Sequence, residues 1–313
     1  MIITLTINPC IDASSSVNHV VPDNKLRCKE PFYEPGGGGI NVSRAIKRLG
    51  GESLALYTSG GLYGEMLQRL LDREEIRHEP ILIKELTREN LIVEEELSEN
   101  QFRFDMPGPR LRKSEWKICL DKLAAVVSKS DYVVASGSLP PKVPKDFYAK
   151  AACIVKEKGA RIIVDTSGEA LQLAARSGVY LFKPNVRELQ ELTKQKIRNE
   201  AELKKAAMKF IREEDSVAVV ISLGVAGACL VTKNGCEHFR SPTVPIKSKV
   251  GAGDSMVGGM VLCLSQGRSL REAVQFGIAA GAAAVMNPQR ELCRRKDAQD
   301  LFMKMRKPRE VFM

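Results

Sequence analysis

The chain has 313 residues, of which 44% are apolar and 27% charged, and its formal net charge is +10. That composition describes a folded globular chain, one large α/β domain or two modest ones, and excludes disordered and fibrous classes. No apolar run approaches the ~20 residues of a membrane span, and the basic residues are spread rather than gathered with aromatics, so neither a membrane nor a nucleic-acid partner is expected. The eight cysteines form no Cys-x-x-Cys pair. Scattered thiols of this kind predict a reducing, cytoplasmic setting rather than a disulfide frame or metal site.

The first residues, Met1-Ile2-Ile3-Thr4-Leu5-Thr6, lack a basic leader and read as a strand rather than a signal peptide. An extended stretch, 29–34, then leads to the glycines at 36–39 and a helical pattern over 40–49. Further helical patterns cover 64–73, 113–128, 144–156 and 200–212, alternating with β-branched runs at 132–135, 161–164 and 217–221. Such alternation predicts a mostly parallel sheet with helices on its faces and ligands outside the carboxyl ends of the strands. Residues 91–104 break the rhythm: LIVEEEL and QFRFDM flank Ser98-Glu99-Asn100 as a hairpin. With the stretch at 29–34, this predicts a small sheet or lid beside the main body. The segments 252–264 and 270–285 are rich in small residues and predict a close-packed helix pair. Neither a linker nor a repeat divides the chain, so residues 1–313 are expected to form a single domain.

Four motifs point to chemistry. In Val250-Gly251-Ala252-Gly253-Asp254, glycines permit a tight turn at a helix start, where amides can steady a transferring phosphoryl group. Asp254 at that start can take a proton from an attacking hydroxyl; its structural alternative is an ordinary helix cap. In Pro35-Gly36-Gly37-Gly38-Gly39-Ile40-Asn41, four glycines end where a helix begins, so backbone can approach a ligand and Asn41 can bond sugar hydroxyls. The run has neither Walker A nor dinucleotide-binding spacing. In Lys183-Pro184-Asn185-Val186-Arg187-Glu188, the amide and carboxylate three apart can hold the water shell of Mg²⁺ or form a capping box. Ser222-Leu223-Gly224-Val225-Ala226-Gly227 is a glycine-spaced turn after a strand, able to receive nucleotide phosphate or ribose.

Taken in chain order, with the glycine run first and Gly-Ala-Gly-Asp last, the motifs resemble those of the PfkB, ribokinase-like carbohydrate kinases. The resemblance runs from Leu5-Thr6-Ile7-Asn8-Pro9 to Leu292-Cys293 and includes Lys25-Leu26-Arg27-Cys28, Ser136-Gly137-Ser138-Leu139-Pro140 and Asp165-Thr166-Ser167-Gly168-Glu169. It implies an α/β three-layer sandwich with a small β lid contributed by about residues 12–35 and 88–106. It also implies Mg-ATP-dependent phosphorylation of fructose 6-phosphate at its 1-hydroxyl, with Asp254 as base and the Gly251, Ala252 and Gly253 amides at the phosphoryl group. By the same resemblance Asp12, Gly37, Gly38, Asn41 and Ser138 meet the sugar, and Lys25 and Arg88 hold its phosphate. Lys183, Asn185, Glu188, Ser222, Gly224, Gly227, Ser248 and Val250 meet ATP, with Asn185 and Glu188 near Mg²⁺. A monovalent cation such as K⁺ and a homodimer joined through the lid are further implications.

In relatives acting on fructose 1-phosphate or tagatose 6-phosphate, the glycine run usually carries a lysine where this chain has Gly38. Those two substrates are the alternatives. The chain departs from the family pattern at Lys249-Val250, just before the Asp254 loop, and at Asn287-Pro288-Gln289-Arg290. The extra lysine can touch nucleotide phosphate or disturb a cation site.

Overall fold

The computed structural model describes residues 1–98, 100–214, 216–287 and 291–306. The turn residue Glu99 and the segment Pro288-Gln289-Arg290 therefore lie outside the described residues. Nine strands form the main sheet, in the spatial order β13 (Gly235–Phe239), β12 (Ala228–Thr232), β11 (Ala218–Ser222), β10 (Leu181–Phe182), β9 (Arg161–Asp165), β8 (Tyr132–Ser136), β1 (Ile2–Thr6), β4 (Leu54–Ser59) and β5 (His78–Leu82). All neighbours from β5 through β11 are parallel. The last two strands add an antiparallel edge. Sequence patterning did not anticipate that edge, although Asn234-Gly235 at its turn is a hairpin signal.

The central strands are buried almost continuously, as expected for a sheet covered on both faces, and successive residues pack on opposite sides. Ile3, Leu5, Val133, Ala135, Ile162 and Val164 pack on one side, against α3 (Lys113–Val126), α4 (Phe147–Glu157), α5 (Gly168–Ala175), α6 (Val186–Thr193) and α7 (Glu200–Glu213). Ile2, Tyr132, Val134 and Ile163 pack on the other, against α1 (Gly38–Arg48), α8 (Ala252–Ser265), α9 (Leu270–Val285) and α10 (Arg295–Arg306). The result is a three-layer α/β sandwich, the arrangement that the resemblance implies. Helices α8 and α9 meet through glycines and alanines. A Cβ on Gly259 would already stand 3.0 Å from that of Ala280.

A second sheet of four strands, β3 (Phe32–Gly36), β2 (Cys10–Val17), β6 (Arg88–Glu95) and β7 (Gln101–Phe104), stands beside the main one. Strands β6 and β7 form the antiparallel pair expected around residue 99. Asp12 lies within β2, where it pairs in register with Asn90 of the parallel strand β6. Helix α2 (Gly61–Arg73) supports this sheet through Leu67 and Leu71, which pack with Ile11, Ile40 and Tyr57.

One buried cation ties the small sheet to the body. The Arg44 side chain is only 3% exposed. Its guanidinium donates to the Pro35 carbonyl at 3.0 Å, to Glu34 at 2.8 Å and to Glu74 at 2.9 Å. Breaking such a network strands two carboxylates in a poorly solvated place. Arg44→Ala is expected to lower stability by about 3–5 kcal/mol in urea denaturation. A change within about 0.5 kcal/mol, typical of an exposed ion pair, would show that Arg44 is not the tie.

Candidate active site

The site forms where α1 and α8 begin, near the carboxyl ends of the central strands. Helix α1 can start there only because its first residues carry no side chain. A Cβ on Gly39 would stand 2.5 Å from the Thr6 hydroxyl and 3.0 Å from the Leu5 carbonyl oxygen. One on Gly38 would stand 2.3 Å from the Ser136 hydroxyl and 2.9 Å from the Gly137 nitrogen. Position 38 therefore has no room for a side chain in this backbone.

The first turn of α1 places Asn41 against α8, where its amide donates to Asp254 Oδ2 at 2.9 Å. Gly251 caps α8 with φ of 74°, a left-handed conformation that favours glycine. No side chain caps this helix. Asp254 is thus held across the chain by Asn41 rather than serving its own helix as a cap.

Burial pushes the Asp254 carboxyl up to about 6, and the negative charge of Asp165 adds to the rise. The Asn41 hydrogen bond and the charges of Lys183 and Arg44 pull the other way. Lys183 is itself buried, with Nζ 3.2 Å from Asp165 Oδ1. Burial opposes its charge, but Asp165, Asp254 and Glu188 outweigh that cost and hold the ammonium above its usual range. Asp165 is a charged neighbour of Lys183 and Asp254 to which motif reasoning gave no role. The available signal was a carboxylate at the carboxyl end of a parallel strand.

Two cavities meet here. One of about 460 Å³ is lined by Asp12, Gly37, Gly38, Asn41, Arg88, Ser138, Val250, Gly251 and Asp254. The other, about 760 Å³, is lined by Lys183, Ser222, Gly224, Gly227, Ala252 and Gly253, with Val225, Val244, Ile246 and Ile278 as apolar walls. The start of α8 is their common border. Lys249 lines both, which makes the unexpected lysine part of the site.

Within the smaller cavity, Asp12 accepts from Asn90 Nδ2 at 3.0 Å, and the Ser138 hydroxyl accepts from Asn8 Nδ2 at 3.0 Å. The Arg88 guanidinium donates to the Met106 carbonyl at 2.9 Å. Its Nε is buried without a partner among the described residues.

Other expected residues fall elsewhere. Lys25 is exposed on the connection from β2 to β3 and lines neither cavity. Val250, expected beside nucleotide, lines the smaller cavity with Asp254 and not the larger one. Ser248 lines neither cavity; its hydroxyl accepts the Val250 amide at 3.2 Å. Asn185 and Glu188 also line neither, and they form the capping box of α6: Asn185 Oδ1 accepts from the Glu188 amide and Glu188 Oε2 from the Asn185 amide. Glu188 nevertheless faces the charge of Lys183, and burial raises its pKa.

A deep α/β sandwich with a proton acceptor between two cavities and glycine-lined helix starts has the makings of a phosphoryl-transfer enzyme. The chain matches the pfkB family carbohydrate kinases over residues 1–296 and belongs to that family. It is 43% identical to the ATP-dependent 6-phosphofructokinase isozyme 2 of Mycobacterium tuberculosis over 310 residues, which cover 99% of this chain and 91% of that protein. The crystal structure of phosphofructokinase-2 from Escherichia coli in complex with potassium aligns with a TM-score of 0.95 at 40% identity, covering 98% of this chain and 99% of that one. The same enzyme in complex with fructose-6-phosphate aligns with a TM-score of 0.93 at 39% identity and the same coverage.

The raised pKa of Asp254 has two measurable consequences. Turnover that needs the carboxylate should show kcat/KM rising with pH through a single limb at about 6, then levelling. Because folding raises this pKa, the folded state prefers the neutral form, and the charged form costs stability that grows as pH climbs from the ordinary carboxylate range through about 6. Asp254→Asn is thus expected to stabilise the fold by about 1–3 kcal/mol near pH 8 and negligibly near pH 4. Loss of stability at both pH values would instead describe a helix cap.

Proposed function

We propose that the chain is an ATP-dependent 6-phosphofructokinase, transferring the γ-phosphoryl group of ATP to the 1-hydroxyl of fructose 6-phosphate to give fructose 1,6-bisphosphate. The position of Asp254 carries this reading, since it stands at the start of α8 between a polar cavity and a larger, partly apolar one. The polar cavity takes the sugar phosphate, with Asp12, Asn41 and the Gly37–Gly38 backbone at its hydroxyls and Ser138 at the rim. The larger cavity takes ATP, with its apolar walls around the base and Ser222, Gly224 and Gly227 along the ribose and phosphates.

In the transfer, Asp254 accepts the proton of the 1-hydroxyl as that oxygen attacks the γ-phosphorus. The bond to the β,γ-bridging oxygen breaks, and ADP leaves with its electron pair. The amides at Gly251, Ala252 and Gly253 meet the charge on the phosphoryl oxygens. Lys183 stands beside them: a Cβ on Gly253 would lie 3.7 Å from its Nζ. Lys249, on the border of both cavities, reaches the same phosphates.

Asp165, Glu188 and Asp254 gather around the single ammonium of Lys183, an excess of negative charge suited to a hydrated cation. Mg²⁺ bound with the nucleotide would neutralise phosphate charge there, held through water by Glu188, Asn185 and Asp165. The potassium in the Escherichia coli relative supports a monovalent-cation requirement as well.

The four-stranded sheet serves as the lid of a single kinase domain and as the contact of a homodimer. Its outer face exposes Leu91, Phe102 and Phe104, which register as neighbours on adjacent strands and gain from burial against a second copy. Lys25 lines no cavity of its own chain but lies on a lid connection. In a lid-paired dimer it can join Arg88 at the sugar phosphate of the other subunit.

Fructose 6-phosphate is favoured over fructose 1-phosphate and tagatose 6-phosphate because the position of the alternative lysine is sterically closed at Gly38. A panel of phosphosugars at fixed ATP should give the highest kcat/KM with fructose 6-phosphate; preference for fructose 1-phosphate would overturn the assignment. Arg88→Met should raise the KM for fructose 6-phosphate about ten- to a hundredfold, the worth of a charge-assisted hydrogen bond, with a smaller change for the unphosphorylated sugar. Equal changes for both sugars would remove Arg88 from the phosphate.

A further inference from the structure

A third cavity, of about 640 Å³, shares no lining residue with the two just described. Five cations line it: Lys84, Arg110, Arg112, Lys113 and Lys142. None of them forms an ion pair among the described residues. Glu85 is the sole carboxylate in the lining, and its Oε2 already accepts the backbone amide of Arg110 at 2.6 Å. The remaining surface is apolar, from Leu111, Trp116 and Pro144. Five like charges converging on one concavity repel one another and raise the local concentration of anions. The start of α3 is not the source of this attraction. Glu115 occupies it, accepting the amides of Arg112 at 2.6 Å and Lys84 at 2.7 Å.

The lining comes from the first turn of α3, with Lys113 and Trp116, and from three connections that also build the sugar cavity. Residues 83–87 lead into lid strand β6, and residues 105–112 lead out of lid strand β7 to α3. The third connection follows β8 and carries both Ser138 and Lys142. Arg88, Asp105 and Ser138, one beside each part of this lining, face the sugar cavity. The three connections are already tied: the Arg110 amide donates to Glu85, and the Leu111 amide donates to the Pro141 carbonyl at 3.3 Å.

We propose that this cavity is an effector site for a small, multiply charged phosphate compound, separate from the catalytic cavities. Bound there, the anion bridges Lys84 on the way into the lid hairpin with Arg110 and Arg112 on the way out. It fixes both lid connections relative to α3 and so changes the affinity for the sugar phosphate.

Trp116 is the chain's one tryptophan and lines the cavity, so intrinsic emission reports its occupancy directly. The whole protein would be titrated with inorganic pyrophosphate, against KCl of matched ionic strength. A saturable change in Trp116 emission is expected with pyrophosphate and not with KCl. In Arg112→Glu/Lys142→Glu the apparent affinity should fall at least about tenfold, since two charge-assisted contacts are replaced by repulsion. That variant should keep its basal kcat and KM without pyrophosphate; Lys142→Gln alone serves should the double variant fold poorly, with a smaller loss. Saturating pyrophosphate should shift the KM for fructose 6-phosphate in the wild type and not in the charge-reversed variant. Unresponsive wild-type emission, or an equal response in the variants, would overturn the site. A KM shift of equal size in wild type and variant would place pyrophosphate in a catalytic cavity and overturn the coupling.

Discussion

The close approach of α1 to the end of the sheet is the constraint on which the site depends. At Gly38 and Gly39 a single added carbon would collide with Ser136 or Thr6, so any side chain would push the helix outward. The consequence reaches across the fold. Asn41, on the first turn of α1, meets Asp254, on the first turn of α8, although 213 residues separate them. A displacement of one helix start would part the amide from the carboxylate and change the environment that sets its proton affinity.

The charges are arranged around that junction in layers. Arg44 is buried among Glu34, Glu74 and a carbonyl, and fixes α1 to both the lid and α2. Lys183 is buried against Asp165 and faces Asp254 and Glu188. These cations are held rigidly by oppositely charged partners. Arg88 and Lys249, by contrast, turn toward cavities where a charged ligand can meet them. The overall positive charge is therefore unevenly used: part of it holds structure, part faces the catalytic cavities, and part converges beneath the lid.

Much of this was legible in the sequence, because the relevant signals are local. The short β-branched runs of the strands, the glycine run before an apolar helix and the Gly-Ala-Gly-Asp turn each follow from neighbouring residues. Asp254, Gly38 and Asn41, which come from those motifs, line one cavity together with Arg88, which only the family resemblance named. Long-range facts were hidden. The parallel pairing of β2 with β6 joins segments nearly eighty residues apart and makes Asn90, not a motif residue, the partner of Asp12. Asp165 stands in a phrase that carried the resemblance but no assigned role, and it reaches Lys183 because β9 and β10 are adjacent. Asn185 and Glu188 show the limit from the other side. The same three-residue spacing suits a metal's water shell and a capping box; the folded chain makes the capping box and also keeps Glu188 facing Lys183, so spacing alone does not choose between them.

A base role for Asp254 in transfer to a phosphosugar is the claim on which the remaining assignments rest. Single-turnover formation of ADP from Mg-ATP and fructose 6-phosphate, compared between wild type and Asp254→Asn, tests it most directly. A fall in rate of about 10²–10⁴, with sugar-phosphate binding retained, is the predicted result. Equal rates in the two proteins would contradict it.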